Sequence, residues 1–488
     1  MADYILVTTE DCDQQAFVAD LKRLGVTMQE NYQSLKRHYR VAATPEQHDA
    51  LKADSRVLLI DPADGEIWIG EVQTIAVGSN GMGDNWGLSR IDERAWDDRV
   101  WYPHQGDYRY FRAGANVDVY VVDTGVRMTH QDFGGRAKPL YDHFTTATNA
   151  AYCTDTEGHG THVASTAAGG RYGVAKKATI RVVKVFQGPS TTYAAIIGGI
   201  NAVVKHHNAK KAAKQQVQSV VNLSIGGPAS ASLEQAVNDC INAGIVVVVA
   251  AGNEYENLDS PDYDVHPAEI QRAITVGATD IQDWVAPFSN YGSILDVFAP
   301  GHYIVAAGHA GDSLTSMKSG TSMASPHVAG VVALHLDSPG IGTDATHVGQ
   351  IHDKVIATAT AGTLQMPDEV RKAGSPDRLL YSYYTAAEVT TVTALDGVAP
   401  VYLRWRKMKD FNVPTLARQI DAVERHYLSL GHAVLEVDNL LVEIETAAGA
   451  TVAARGPARV RAFAAFAAKL AQARTLIASI PAKPPQWR

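Results

Sequence analysis

The chain has 488 residues, 46% of them hydrophobic and 19% charged, with a formal net charge of −9. This length allows about three domains, and the composition is that of a globular protein rather than a disordered one. The negative balance argues against a general nucleic-acid binder, and no apolar run is long enough to span a membrane.

The start, MADYILVTTEDCDQQ, has no basic region, apolar core or small-residue cleavage site of a secretory signal. As written, the chain reads as cytoplasmic or particle-associated; the alternative is a secreted protein whose signal is not included in this sequence. Three cysteines, Cys12, Cys153 and Cys240, without any Cys-x-x-Cys, predict isolated thiols rather than a disulfide scaffold.

In chain order, YILVTT predicts a strand, DQQAFVADLKRLG a helix stopping at Gly25, and RVLLIDP a strand again, so residues 1–76 read as a small α+β domain. Residues 77–87, VGSNGMGDNWG, read as a linker. From 88 to 385 the runs VDVYVVD, IRVVKVF, SVVNLSI, GIVVVVAA, RAITVGA and ILDVFA alternate with helical segments. Near-continuous apolar runs suit a parallel sheet buried on both faces, so the expected class is doubly wound α/β. In such folds active residues gather at the carboxyl ends of strands.

Residues 386–488 read as a mainly helical C-terminal extension. Leu416, Ile420, Val423, Tyr427 and Leu430 keep the helical period up to Gly431, and Val460, Phe463, Ala467, Leu470 and Ile477 form an apolar stripe between Pro457 and Pro481. That stripe calls for a covering surface: another part of the extension, a second copy, or a docked partner. The basic cluster RWRKMK, residues 404–409, reads as a solvated face.

Four residues carry candidate chemistry. Asp123 ends the run VYVVDTG, His159 stands in EGHGTHVAS, Asn253 follows VVVVAAG, and Ser322 lies in SGTSMASPHVAG at the head of a small-residue apolar helix. Free N–H groups and the helix dipole favour negative charge there. A serine is inert without a base, histidine titrates near neutrality, and aspartate fixes the imidazole tautomer, so the three together can form a hydrolytic triad. An amide such as Asn253 can donate to an oxyanion without carrying charge. Taken singly, each residue has a plainer reading: Ser322 as an N-cap, Asp123 as a turn former, and His159 with His162 as an incomplete zinc pair.

Taken jointly, VVDTGV, GHGTHVA, NLSIGGP, VAAGNE and GTSMASPHVAG resemble, in that order, the subtilisin-like serine proteases. WGLSRID, FGGRA, RYGVAKKATI, FSNYGSILDVFAPG and AGSPDRLLYS resemble most the proteinase K and aqualysin branch, over roughly residues 85–384. The resemblance implies a serine endopeptidase made as a zymogen, acting on proteins or peptides. Asp123 would orient His159, His159 would deprotonate Ser322, and Asn253 with the Ser322 N–H would hold the oxyanion. Ser224, Ile225, Gly226 and Gly227, facing Ala251 and Gly252, would line the main specificity pocket, with Glu254 on its rim.

The same resemblance implies a calcium site from Asp296 and the carbonyls of Gln271 and Ala273, although the chemistry requires no cofactor; the plainer reading of Asp296 is a strand-end turn former. Residues 1–76 weakly resemble the family's propeptide, an inhibitor in cis, against the alternative of an unrelated adaptor domain. Neither nucleic acid nor membrane is implied as a partner. Four departures stand out: Ser165 where the family has glycine, Pro189 in the substrate-pairing stretch GPST, Lys318 four residues before Ser322, and an acidic insertion over 254–266. A second function class stays open: a latent or non-catalytic protease-fold component of a larger assembly.

Overall fold

The computed structural model describes residues 1–69, 73–77, 85–94, 108, 110, 112–146, 151–215, 217–338 and 340–382. The helices expected in the C-terminal extension, its basic cluster and most of the glycine-rich linker lie outside the described residues. Met1–Ser382 form one compact unit.

The first strands are β1 (Ala2–Thr8), β2 (Thr27–Tyr32), β3 (His38–Ala43) and β4 (Val57–Pro62), with helices α1 (Gln14–Arg23) and α2 (Pro45–Lys52) between them. They form an antiparallel sheet in the order β2-β3-β1-β4. Asp13 caps α1 by accepting from the N–H groups of Gln15 and Ala16, and Thr44 with Gln47 makes a capping box on α2. The core is Leu6, Phe17, Leu21, Val26, Tyr39, Val41, Ala43 and Leu51. The small α+β domain expected at the start is thus a sheet with two helices on it.

The chain then runs through β5 (Glu66–Ile69), β6 (Gln73–Val77), α3 (Trp86–Ile91), β7 (Val117–Asp123), β8 (Ala137–Asp142), α4 (His159–Ala168), β9 (Thr179–Lys184), β10 (Ser190–Thr192) and α5 (Tyr193–Ala212). Next come β11 (Gln218–Leu223), β12 (Ile225–Pro228), α6 (Ala231–Asn242), β13 (Val246–Ala250), β14 (Val265–His266), β15 (Ile274–Thr279) and β16 (Val297–Pro300). The described part closes with β17 (Ile304–Ala307), β18 (Thr315–Ser319), α7 (Thr321–Leu336), α8 (Ala345–Thr358), β19 (Thr360–Ala361), α9 (Asp368–Lys372) and β20 (Arg378–Leu379).

Nine strands form the central sheet in the order β19-β20-β16-β15-β13-β11-β7-β9-β8. From β7 the chain winds outward both ways, to β9 and β8 on one side and to β11, β13 and β15 on the other, all parallel. Every residue of β7, β11, β13 and β15 is buried. That explains why Val and Ile dominate them, most of all in β13 (VVVVA): each fully buried aliphatic side chain contributes about 1.5–3 kcal/mol. α7 is also buried along its whole length and packs beneath β11, β13 and β15 and beside α4. The expected doubly wound α/β class is therefore the observed one, and a β7-centred switch point is where such sheets open a crevice.

The end of the expected linker is ordered and packed. Asn85 accepts from the Gly87 N–H at 2.9 Å and so starts α3. Arg90, fully buried, donates to Asp283 through two bonds of 2.7 and 2.9 Å. The Asn85 cap and the Arg90 ion pair fasten residues 85–91 to the protein.

Candidate active site

β7 delivers Asp123 at its carboxyl end, where the chain turns through Thr124 and Gly125. Gly125 has φ +102°, and a Cβ there would lie 2.6 Å from the Cys153 carbonyl. α4 starts on His159, whose backbone N–H donates to Glu157 Oε2 at 2.7 Å. At Gly160 a Cβ would meet Gly125 O at 2.2 Å and Asp123 Oδ1 at 2.9 Å, so only glycine lets the helix start close on the Asp123 turn. His159 Nδ1 lies 2.9 and 3.0 Å from the two Asp123 carboxylate oxygens, both residues fully buried. With its proton on Nδ1, the imidazole donates to that carboxylate.

Ser322 is the second residue of α7 and is fully buried. Its hydroxyl donates to the Ser224 carbonyl at 3.2 Å, and Ser224 Oγ donates back to the Ser322 carbonyl at 2.9 Å. Asn253 follows β13 and turns its side chain to the same helix start: Oδ1 accepts from Thr321 N at 2.8 Å and Thr321 Oγ1 at 3.0 Å. Those two donors fix the amide orientation. They leave Asn253 Nδ2 a buried donor with no partner among the described residues. A buried unpaired N–H costs about 1–3 kcal/mol, a penalty that an incoming anionic oxygen removes.

The expected pocket residues flank this point. β12 carries Ile225, Gly226 and Gly227 directly after Ser224, and Ala251, Gly252 and Glu254 follow β13. Glu254 Oε2 is engaged by three donors: Asn253 N at 2.7 Å, Tyr263 OH at 2.8 Å and Asn290 Nδ2 at 2.8 Å. The acidic insertion is therefore anchored to the pocket wall, and Asp259 anchors it again through Ser293 N and Oγ at 2.6 and 2.8 Å.

The space between β10 and β12 is filled by the chain's own β5. This strand runs antiparallel between β10 and β12, with Trp68 opposite both Ser190 and Gly226, and Ile69 opposite Ile225. Ile67 is fully buried, and a Cβ on Gly227 would come to 3.0 Å of both Ile67 Cα and Glu66 O. Pro189 does not break the pairing: it lacks an N–H, but its carbonyl accepts from Ile69 N at 3.3 Å. Beyond the cleft, β6 pairs antiparallel with β18, the strand that leads into α7, with Gln73 opposite Ser319 and Thr74 opposite Lys318. Only three residues separate β5 from β6.

Ser165, in place of glycine, earns its space by hydrogen bonding: it donates to Asp132 Oδ2 at 2.6 Å and accepts from Ala307 N at 3.0 Å. His162 faces the Ile304 carbonyl at 2.9 Å. Burial first, then nearby Lys318, holds its pKa well below the ordinary imidazole value. Among the described residues no group of three His, Cys, Asp or Glu side chains could hold a metal ion, and the three cysteines are unbridged.

Asp296 is committed elsewhere than to a calcium cage. Its Oδ2 accepts from Thr275 N at 2.8 Å, and its Oδ1 lies 3.3 Å from His352 Nε2. Calcium takes six to eight oxygens, and here one of the two carboxylate oxygens faces an imidazole. The residues present do not fit the ion while His352 holds this position.

Comparison with known proteins follows the same lines. The profile of the subtilase family matches residues 114–375. The chain is 40% identical over 361 residues to an extracellular serine proteinase of Thermus sp. (strain Rt41A), covering 73% of this chain and 78% of that one. It is 39% identical over 305 residues to a cuticle-degrading serine protease of Arthrobotrys oligospora, covering 61% and 68%. Among solved structures, a cold adapted subtilisin-like serine proteinase aligns with a TM-score of 0.53 and 35% identity, over 62% of this chain and all of that one (100%). The epidermin leader peptide processing serine protease of Staphylococcus aureus aligns at TM-score 0.60 over 80% and 99%, and at 18% identity shares the fold alone.

Proposed function

The chain belongs to the subtilase family and is a subtilisin-like serine endopeptidase, and we propose that Asp123, His159 and Ser322 are its catalytic residues. His159, oriented by Asp123, takes the Ser322 proton as Oγ attacks the peptide carbonyl. The proton then passes from His159 to the leaving amine as the carbon–nitrogen bond breaks, leaving an acyl group on Ser322. Water, deprotonated by His159, releases the acid and restores Ser322. The tetrahedral oxygen is held by the Ser322 N–H and Asn253 Nδ2. The single observation that carries this reading is that Nδ2: a buried donor without a partner among the described residues, at the N-terminus of the helix that bears Ser322.

Ser224–Gly227 and Ala251–Glu254 form the substrate walls in this reading. Peptide adds as an antiparallel strand between β10 and β12, as β5 does. β5 supports two further statements. Residues 1–69 act as an inhibitor in cis, their last strand filling the cleft. Self-cleavage then falls between Ile69 and Gln73, where the chain passes from β5 to β6. Calcium at Asp296, with the Gln271 and Ala273 carbonyls, enters only as a competitor of His352, and no step uses it. The extracellular relative supports export rather than residence in the cytoplasm. The apolar stripe over 460–477 supports an association role for the extension.

The test is labelling by a fluorophosphonate probe together with intact mass. Wild type should label on Ser322 and lose its N-terminal segment by cleavage between Ile69 and Gln73, while Ser322→Ala does neither. A protein that hydrolyses peptides after Ser322→Ala overturns the triad. A wild type that neither labels nor cleaves is the latent alternative.

A further inference from the structure

One buried carboxylate outside the triad holds its two halves together. Asp155, in the loop TDTEG ahead of α4, is 4% exposed. Its Oδ1 accepts from Thr124 Oγ1 at 2.9 Å, Gly158 N at 2.8 Å and Glu157 N at 3.0 Å. Its Oδ2 accepts from Thr161 N at 2.9 Å and from Thr161 Oγ1. Thr124 Oγ1 in turn accepts from Gly160 N at 2.9 Å, and Thr124 N donates to Asp123 Oδ1 at 2.7 Å. A loop-closing aspartate needs only the bonds to Glu157 and Gly158. The bonds to Thr124 and Thr161 instead cross from the end of β7 to the first turn of α4, which are the two segments that carry Asp123 and His159.

The charge has a counterpart. Lys184 stands opposite Asp123 in the sheet register and donates to the Thr124 carbonyl. Burial lowers its pKa, while Asp155, Asp142 and Asp123 act in the opposite direction. Hydrogen bonds to a buried charge are the stronger kind and are lost at full desolvation cost when a partner is removed. The Asp123 turn cannot slide along the helix start without breaking several of them.

We infer that Asp155 is a positioning residue of the reaction: through Thr124 and the start of α4 it sets the distance and angle at which His159 meets Asp123. The inference rests on the triad proposed above.

The experiment uses protein produced as the full chain and allowed to process itself, for Asp155→Ala, Thr124→Ala and Thr124→Ser. Turnover is divided by the Ser322 sites titrated to completion with a fluorophosphonate, so misfolded protein does not count. Misplacement of a reacting group by about 1 Å costs on the order of 100-fold, so Asp155→Ala should lower kcat per site by about that factor and change KM by less than about threefold. Thr124→Ala, which keeps the Asp155 charge, should lower kcat by about tenfold. It should also move the acid limb of the kcat/KM profile down by about half a pH unit, because the imidazolium loses part of its Asp123 support. Thr124→Ser keeps the hydroxyl and should restore both. If Asp155→Ala does not fold, the Thr124 pair decides. Two results overturn the inference: kcat per titrated site within about twofold of wild type in the Thr124→Ala protein, or Thr124→Ser as slow as Thr124→Ala. If wild type itself fails to label at Ser322, the protein is the latent alternative and this inference falls with the catalytic reading; a labelled wild type with unaffected variants removes the inference alone.

Discussion

Among the described residues, two aspartate–histidine pairs sit at strand ends of the central sheet. At the end of β7, Asp123 meets His159 Nδ1 through both oxygens at 2.9 and 3.0 Å, with side-chain exposures of 1% and 0%. Just before β16, Asp296 meets His352 Nε2 through one oxygen at 3.3 Å, with side-chain exposures of 17% and 19%. The second contact is longer and less well aligned: among the described residues His352 Nε2 makes no hydrogen bond of good geometry. The residue types are the same, so the difference lies in what surrounds them. The first pair is gripped by the start of α4, by the Thr124 turn and by Asp155. The second is held by one backbone N–H and a surface helix.

Breaking each pair should have opposite consequences. Asp123→Asn should lower kcat by about 10⁴-fold, because the amide presents the wrong group to Nδ1, while Asp296→Asn should leave kcat per titrated site within about twofold. Peptide hydrolysis measured against fluorophosphonate titration checks both. Comparable losses at the two positions would mean that the second pair also serves the chemistry.

The proposed oxyanion donor sharpens the same contrast. Asn253→Ala should lower kcat by about 10²–10³-fold with KM nearly unchanged, since Nδ2 acts only on the charge that develops in the transition state. Steady-state kinetics on a peptide substrate decides this; a rise in KM with kcat intact would make Asn253 a ground-state contact.

The third consequence concerns pH and is smaller. The contact with Asp296, then the more distant Asp353, raises the His352 pKa above the ordinary imidazole value against the pull of burial. A histidine with a raised folded-state pKa stabilises fully below its unfolded value of about 6.5 and loses that contribution as pH rises through the folded value. His352→Leu should therefore lower Tm by roughly 2 °C at pH 6 and by much less at pH 9, as read by thermal unfolding of the Ser322→Ala protein. Equal losses at both pH values would mean the side chain contributes by packing alone.

The smallest expected effect is that of calcium. At pH 6, where protonated His352 faces Asp296, millimolar calcium should shift Tm no more than magnesium does. A calcium-specific rise abolished by Asp296→Asn would restore the cation site expected from the sequence.

Asp123, His159, Asn253 and Ser322 were legible because each lies in a short contiguous motif at an element boundary. The strands between them were legible because a sheet buried on both faces demands unbroken apolar runs. Other features left no such trace. Glu66–Ile69 is four residues long and looks like any short apolar stretch, yet it completes a sheet with strands more than a hundred residues away. Asp155 sits in a polar loop, and nothing in TDTEG says that its carboxylate will be buried under five donors. Pro189 stood out as a departure because its missing N–H is visible in the sequence, whereas the carbonyl that pairs with Ile69 is common to every residue. His352 and Asp296 are far apart along the chain, so their contact had no local signature.

The sequence by itself determined the fold class, the order of the chemical groups and their attachment to strand ends and helix starts. Those follow from local periodicity, from side-chain chemistry and from glycines that only certain turns require. The tertiary structure alone decided which polar groups are buried and what they face: the unpaired Asn253 amide, the Asp155 clamp, the imidazole beside Asp296 and the strand lying in the cleft. Burial and partnership depend on surfaces brought together across the whole chain. The free energy of a buried polar group is set by its nearest neighbours in space, not by its neighbours in sequence.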